Sequence, residues 1–165
     1  MKATTLLERQ HRNLQQLCEA VERGSVSIRE SLMPQLAADL TAHIAVEDDL
    51  FYPVVSQTLH EDDWVLKGRA RHAEARRHLE RALDSAFDGP EFSSAMSGLR
   101  AAVELHAEQE EEVLFPRFED AIAADAMRKL GQAMMDLYHT VVERGYARAP
   151  AAPAAATPER DTATM

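Results

Sequence analysis

The chain is short of several things at once, and each shortage narrows the field. It has a single cysteine, Cys18, so no internal disulfide can staple it. It has six glycines and no run rich in β-branched residues. What fills the space is Ala, Leu, Glu and Arg, which is helix composition. No apolar run approaches the roughly 18 residues that a membrane span needs. Basic residues are outnumbered: 18 Lys and Arg stand against 28 Asp and Glu, for a net charge of −10. A phosphate backbone or an anionic bilayer needs clustered Lys and Arg, so nucleic acid and membrane are both excluded as partners. The first residues, MKATTLLERQHR, turn polar too soon for a signal peptide. The expectation is a cytoplasmic protein of 165 residues, one domain with a real core.

What is present is helical periodicity. From Thr4 to Arg23, Leu7, His11, Leu14, Cys18 and Val21 recur four and three apart, the seam of a core-facing helix. Gly24-Ser25 ends it, and Ser27 with Glu30 offers a capping box to the next. Pro34 lies near that start. The second helix carries Leu36, Leu40, His43, Glu47, Leu50 and Val54. Polar residues from His60 to Asp63 make a turn. The third helix carries Val65, Gly68, His72, Ala75, Leu79 and Ala82, and stops at Asp88-Gly89-Pro90. The fourth reads Leu99, Val103, His106, Glu110 and Val113. Met127, Leu130, Met134, Leu137 and Val141 trace a fifth amphipathic helix, which either caps the bundle or pairs two copies of the chain as a homodimer. The last residues, 148–165, are Pro- and Ala-rich without an apolar face and read as a disordered tail.

His11, His43, Glu47, His72, His106 and Glu110 sit on those seams where a bundle normally puts Leu or Val. A buried, unpartnered carboxylate costs several kcal/mol or changes its pKa. Six such residues are tolerable if they meet around a cation. Residues four apart on a helix share a face, as His43 does with Glu47 and His106 with Glu110. Counting outwards from the turns near residues 25, 60 and 90, all six fall within roughly one helical turn of a common level.

The chain also repeats. HIAVEDDLFYP and HAEQEEEVLFP share His, Glu four residues on, two more acids, two apolar residues, an aromatic and Pro, sixty-three residues apart. His11 precedes His43 by 32 residues and His72 precedes His106 by 34. Each half is a helix with one His followed by a helix with HxxxE. Two halves make a pseudo-two-fold site of four His and two Glu. Imidazole and carboxylate without thiolate suit iron, manganese or zinc. Six ligands exceed one four-coordinate zinc, and two facing carboxylates can bridge two ions in a bundle core. Having more His than Glu favours the reduced, di-ferrous state and leaves it able to bind a small ligand.

At these residues the sequence resembles the hemerythrin family, in its HHE cation-binding branch. The likeness runs from ERQHRNL through HIAVEDDLFYP and RHAEARRHL to HAEQEEEVLFP, about three-quarters of the chain. It implies an all-α, up-down-up-down four-helix bundle with an added C-terminal helix. The domain would span 1–147, with half-repeats at about 4–57 and 62–123 and the extra helix at about 125–146. It implies an oxo- or hydroxo-bridged centre of two iron ions, with His11, His43, His72 and His106 as terminal ligands and Glu47 and Glu110 as bridges. Members bind dioxygen or nitric oxide, sense redox state or iron, decompose peroxide, or help repair iron–sulfur clusters. The expected function is therefore small-ligand binding in sensing, scavenging or stress response. The alternatives are a peroxide-consuming or nitric-oxide-reducing enzyme, or a bundle that the metal only staples.

Two departures separate this chain from the oxygen carriers. Arg76 stands where they have a second third-helix His, and HxxxE stands where they have HxxxxD. Arg76 follows His72 by four residues, so it starts on the site face and either reaches out to solvent and a nearby acid or stays beside the metal. Asp48, Asp49, Glu111 and Glu112 read as solvated helix faces. His60, His78 and His139 read as ordinary, Cys18 as a small reduced hydrophobe, and Pro53 and Pro116 as kinks beyond the ligands.

Overall fold

The computed structural model describes residues 1–147, so the reading of residues 148–165 as a tail lies outside what is described here. All the regular structure among the described residues is helical. Helix α1 spans Ala3–Arg23 and α2 spans Val26–Val46. A π-helical turn, Glu47–Phe51, joins α2 to α3, Tyr52–Leu59. Helix α4 spans Asp63–Leu83 and α5 spans Pro90–Gln109. A second π-helical turn, Glu110–Leu114, leads into α6, Phe115–Ala121, and α7 spans Ala124–Arg144. The result is a four-helix bundle with an extra C-terminal helix. Its four rods are α1, α2 with α3, α4, and α5 with α6.

The turns near residues 25 and 60 fall where the sequence put them, whereas the helix expected to stop at Asp88-Gly89-Pro90 already ends at Leu83. His60 takes a left-handed conformation (φ 54°) between α3 and α4, and α5 starts at Pro90, where the missing N–H costs nothing. The start of α2 differs from the capping-box reading. The cap position is Ser25, without a side-chain bond, and Ser27 lies inside the helix. Pro34 sits in the helix interior, well past its first turn. The end of α1 is held instead by Arg29, whose guanidinium donates to the carbonyls of Val21 at 3.2 Å and Glu22 at 3.0 Å and also to Phe87. Its cation lies 5.0 Å above the Phe92 ring.

The core is in two pieces. One, with Leu14, Val21, Leu36, Leu79, Phe92 and Leu99, fills the end near the α1–α2 turn. The other, with Leu7, Phe51, Val55, Phe115, Phe118 and Met134, fills the opposite end. Between them lies a buried polar layer. Helix α7 runs along α1 and α2. Met127 and Met134 are buried there, and Leu130 and Leu137 pack partly buried against the same core. Of the two roles offered for that apolar face, capping is what it does within the chain. The fit is close: a Cβ on Gly131 would come within 2.5 Å of the Met1 carbonyl oxygen.

The π-helical turns explain a slip in the seams. In each, a backbone N–H reaches five residues back, Tyr52 to Glu47 and Phe115 to Glu110. The extra residue in the turn moves the inward face by one position. Phe51 and Leu114 are therefore buried, whereas Leu50 is half-buried and Val113, expected on the seam, is exposed. Pro53 and Pro116 each stand one residue beyond such a turn, after Tyr52 and Phe115, so the missing N–H falls where the helix has already widened its register.

Candidate metal centre

His11 from α1, His43 from α2, His72 from α4 and His106 from α5 all point into the polar layer, as do Glu47 and Glu110, the first residues of the two π-helical turns. All six are buried. The structure therefore brings together every residue that the sequence put forward as a ligand. His11, His43, Glu47 and His106 each offer a donor atom within 4.8 Å of the others. His72 joins through Nε2, 2.8 Å from Glu47 Oε2. Glu110 joins through Oε2, 3.6 Å from both His11 Nε2 and His106 Nε2. Glu47 is the hub: its Oε2 is also 3.1 Å from His106 Nε2, and its Oε1 is 3.5 Å from His43 Nε2 and 3.7 Å from His11 Nε2.

The far nitrogens of three imidazoles have their own partners. His11 Nδ1 is 2.9 Å from Glu111 Oε1, His43 Nδ1 is 3.0 Å from Gln10 Oε1, and His72 Nδ1 is 3.1 Å from Asp48 Oδ1. These contacts aim Nε2 of each ring at the centre of the layer. Asp48 and Glu111 are thus not merely solvated faces, although their neighbours Asp49 and Glu112 are exposed. The sequence carried a signal for them, since each directly follows a ligand Glu in the repeated phrase. Gln10 and Tyr52 had no such signal. Tyr52 is buried, with its hydroxyl oxygen 2.8 Å from Glu110 Oε1 and 3.1 Å from Glu47 Oε2, so it donates to one of these carboxylates at a time. Arg76 takes the outward course. It is 53 % exposed and its guanidinium lies 3.8 Å from Asp48 Oδ2, away from the layer. His60 and His139 are exposed, and His78 packs against Gly98 on α5. Cys18 is buried and free, and burial pushes its thiol up to about 12.

The protonation pattern shows how uncomfortable the layer is by itself. Burial and the neighbouring Glu47 charge push the Glu110 carboxyl well above its ordinary range. Burial opposes charge on Glu47 too, but His43 and His106 outweigh it and hold that carboxyl well below. Burial drives His43 and His106 down, against the pull of Glu47. For His11, burial is overcome by Glu111 and Glu47, and for His72 by Asp48 and Glu47, so both rise. Even so, His11 Nε2, Glu47 Oε1 and Glu110 Oε2 are buried without a hydrogen-bond partner. Three orphaned polar atoms within one layer is a pattern that ordinary hydrogen bonding avoids and that a cation satisfies. The residues present fit a metal.

Four imidazoles and two carboxylates buried across four helices define a metal-binding bundle. The pattern that describes the hemerythrin HHE cation binding domain matches residues 2–118. The chain belongs to that family. The uncharacterized protein Rv2633c of Mycobacterium tuberculosis is 27 % identical over 137 residues, which is 81 % of this chain and 83 % of that protein. The uncharacterized protein Mb2666c of Mycobacterium bovis matches to the same extent. Among solved structures, a hemerythrin HHE cation binding domain-containing protein from Mycobacterium kansasii, a homolog of Rv2633c, superposes with a TM-score of 0.76 at 22 % identity. The match covers 87 % of this chain and 89 % of that one, and it speaks for the fold. No helix of the described residues is long and apolar enough to cross a membrane.

Proposed function

We propose that the protein is a non-haem di-iron protein that binds a small ligand such as dioxygen, nitric oxide or peroxide. His11, His43, His72 and His106 would hold the two iron ions as terminal ligands, with Glu47 and Glu110 between them. The observation that carries this reading is the orphaned set, His11 Nε2, Glu47 Oε1 and Glu110 Oε2. Each carboxylate also has its other oxygen aimed at a different group: Glu47 Oε2 at His72 and His106, and Glu110 Oε1 at Tyr52. A carboxylate with donors gathered at both oxygens is suited to two ions rather than one.

Iron held here would supply a redox-active Lewis acid. The chain supplies the rest. Glu111, Gln10 and Asp48 fix the tautomer and aim of three imidazoles. A cavity with room for about one water-sized molecule lies beside the layer, lined by Leu14, Leu40 and Val103 with His43, His72 and His106. So little room, on a lining that also includes Arg71, favours a ligand of a few atoms over a larger one. This supports binding and sensing over turnover of an organic substrate. A peroxide-consuming or nitric-oxide-reducing enzyme is the second reading, and peroxide consumption measured against a Glu110→Ala control separates the two.

Metal analysis of the anaerobically purified chain tests the proposal. About two irons per chain are expected. One metal per chain at full loading, or zinc alone with no charge-transfer absorption, overturns it. We take residues 1–147 as one domain of two half-repeats plus α7, and place the protein in the cytoplasm. A homodimer through α7 remains a proposal about assembly. With Met127 and Met134 buried inside the chain, pairing would need the outward face of α7, and light scattering in solution reads it.

A further inference from the structure

Tyr52 and Phe115 occupy the same place in the two copies of the repeated phrase. Each lies over the imidazole of the other half. Phe115 stacks on His11 with centroids 6.0 Å apart, and Tyr52 stacks on His72 with centroids 5.6 Å apart. The residue one turn before each imidazole differs in the complementary sense: Leu7 before His11, Gly68 before His72. A Cβ on Gly68 would overlap the Tyr52 hydroxyl oxygen and crowd the ring carbon that bears it. Helix α4 is therefore cut back at the one residue where the hydroxyl needs room. The other half, with Phe115 and a fully buried Leu7, shows the arrangement that packing alone would choose.

We propose that the Tyr52 hydroxyl oxygen is a seventh donor to the metal pair and binds trivalent iron as a phenolate on the His72 side. This rests on the di-iron reading above. Adjacent donors on one six-coordinate ion, with bonds of about 2.0–2.2 Å, stand about 3 Å apart. Tyr52 Oη is 2.8 Å from Glu110 Oε1 and 3.1 Å from Glu47 Oε2. Glu47 Oε2 is in turn 2.8 Å from His72 Nε2 and 3.1 Å from His106 Nε2. These are the spacings of donors that share an ion. A phenol has one hydrogen to give, and two carboxylates face it, so its O–H points at only one of them at a time. An ion between them uses the oxygen lone pairs instead, and phenolate oxygen is an established donor to iron. On loading, the O–H bond breaks, its proton leaves to solvent, and the oxygen bonds to the metal with no electron transferred. The two metal positions become unequal: the one on the Phe115 side lacks this donor.

The test uses the full chain and the Tyr52→Phe and Gly68→Ala variants. Each is loaded with iron and oxidised in air. Iron per chain, circular dichroism, the visible spectrum and resonance Raman scattering are then recorded. The wild type should show a phenolate-to-iron(III) charge-transfer band with enhanced tyrosinate ring modes. Tyr52→Phe keeps the ring over His72 and should lose both signals while keeping its helicity and at least half of its iron. Gly68→Ala pushes the hydroxyl aside and should shift or lose the band. Iron-loaded wild type without the band, or a band that survives in Tyr52→Phe, overturns the assignment. Should Tyr52→Phe fail to fold, the wild-type tyrosinate modes and their change in Gly68→Ala decide it. Wild type that takes up no iron overturns the di-iron reading and this inference with it, and the iron content tells the two failures apart.

Discussion

Glu111 lies 2.9 Å from Nδ1 of His11, so an acid of the second π-helical turn holds the imidazole of α1. Asp48 does the same for His72 from the first π-helical turn, at 3.1 Å. The two contacts are related by the internal repeat, since each acid directly follows a Glu of the layer. An acid behind an imidazole fixes its tautomer and raises its basicity towards a metal. Asp48→Ala and Glu111→Ala should each lower metal affinity by about 10–100-fold. Competition against a chelator measures it, and Asp49→Ala and Glu112→Ala serve as exposed controls. Equal affinity in all four variants would place the metal elsewhere.

Metal removal should cost stability. Without a cation the layer keeps two carboxylates and four imidazoles, three of their polar atoms without a partner, between two apolar clusters. A metal that binds the folded chain alone adds its binding free energy to folding. Chelation should lower Tm by at least several degrees, scaling with that free energy. Calorimetry of loaded and metal-free protein reads the difference. An unchanged Tm after verified removal would mean that the layer is satisfied without metal.

Away from the layer, Glu119 links α6 to the start of α1. It accepts from the Thr4 hydroxyl and from Lys2 at 2.9 Å, and these two contacts hold its carboxyl below the usual range. A folded value below the unfolded one contributes stability above the unfolded pKa, and that contribution is lost as pH falls through the folded value. Glu119→Gln should therefore melt lower than wild type near neutral pH. The gap should close as the solution is acidified below about pH 4. A gap of constant size across that range would assign the loss to packing rather than ionisation.

Gly131 tests how α7 is docked. Its missing side chain faces backbone, 2.5 Å from the Met1 carbonyl oxygen and 2.9 Å from the Ala3 nitrogen for an added Cβ. Backbone yields less readily than a flexible side chain, so Gly131→Ala should destabilise the chain by about 1–3 kcal/mol. Metal content should be unchanged, because α7 contributes none of the residues of the layer. A neutral or stabilising result, as expected for Gly→Ala in a free helix, would show that α7 does not pack on the N-terminus.

The sequence by itself determined the helices, the bundle and the composition of the layer. That was possible because the signals are local. HxxxE puts His and Glu on one helix face whatever the rest of the chain does, and four polar seams at a common level leave few other ways to pack. The tertiary structure alone decided the register beyond the ligands. An α-helical count carried Leu50 and Val113 inward, and the π-helical turns put Phe51 and Leu114 there instead. The repeat marked Asp48 and Glu111, but which side chain each residue meets across the bundle was equally out of reach. Glu111 reaches His11 across 100 residues, and Tyr52 reaches Glu110 across 58. Arg76 shows the same limit at short range. Its spacing from His72 allowed it to face the layer, but two neighbours decided otherwise. Ala75 fills the inward position beside it, and Asp48 receives the charge outside. Periodicity fixes which side of a helix a residue starts on; the neighbouring helices decide where a long, charged side chain ends.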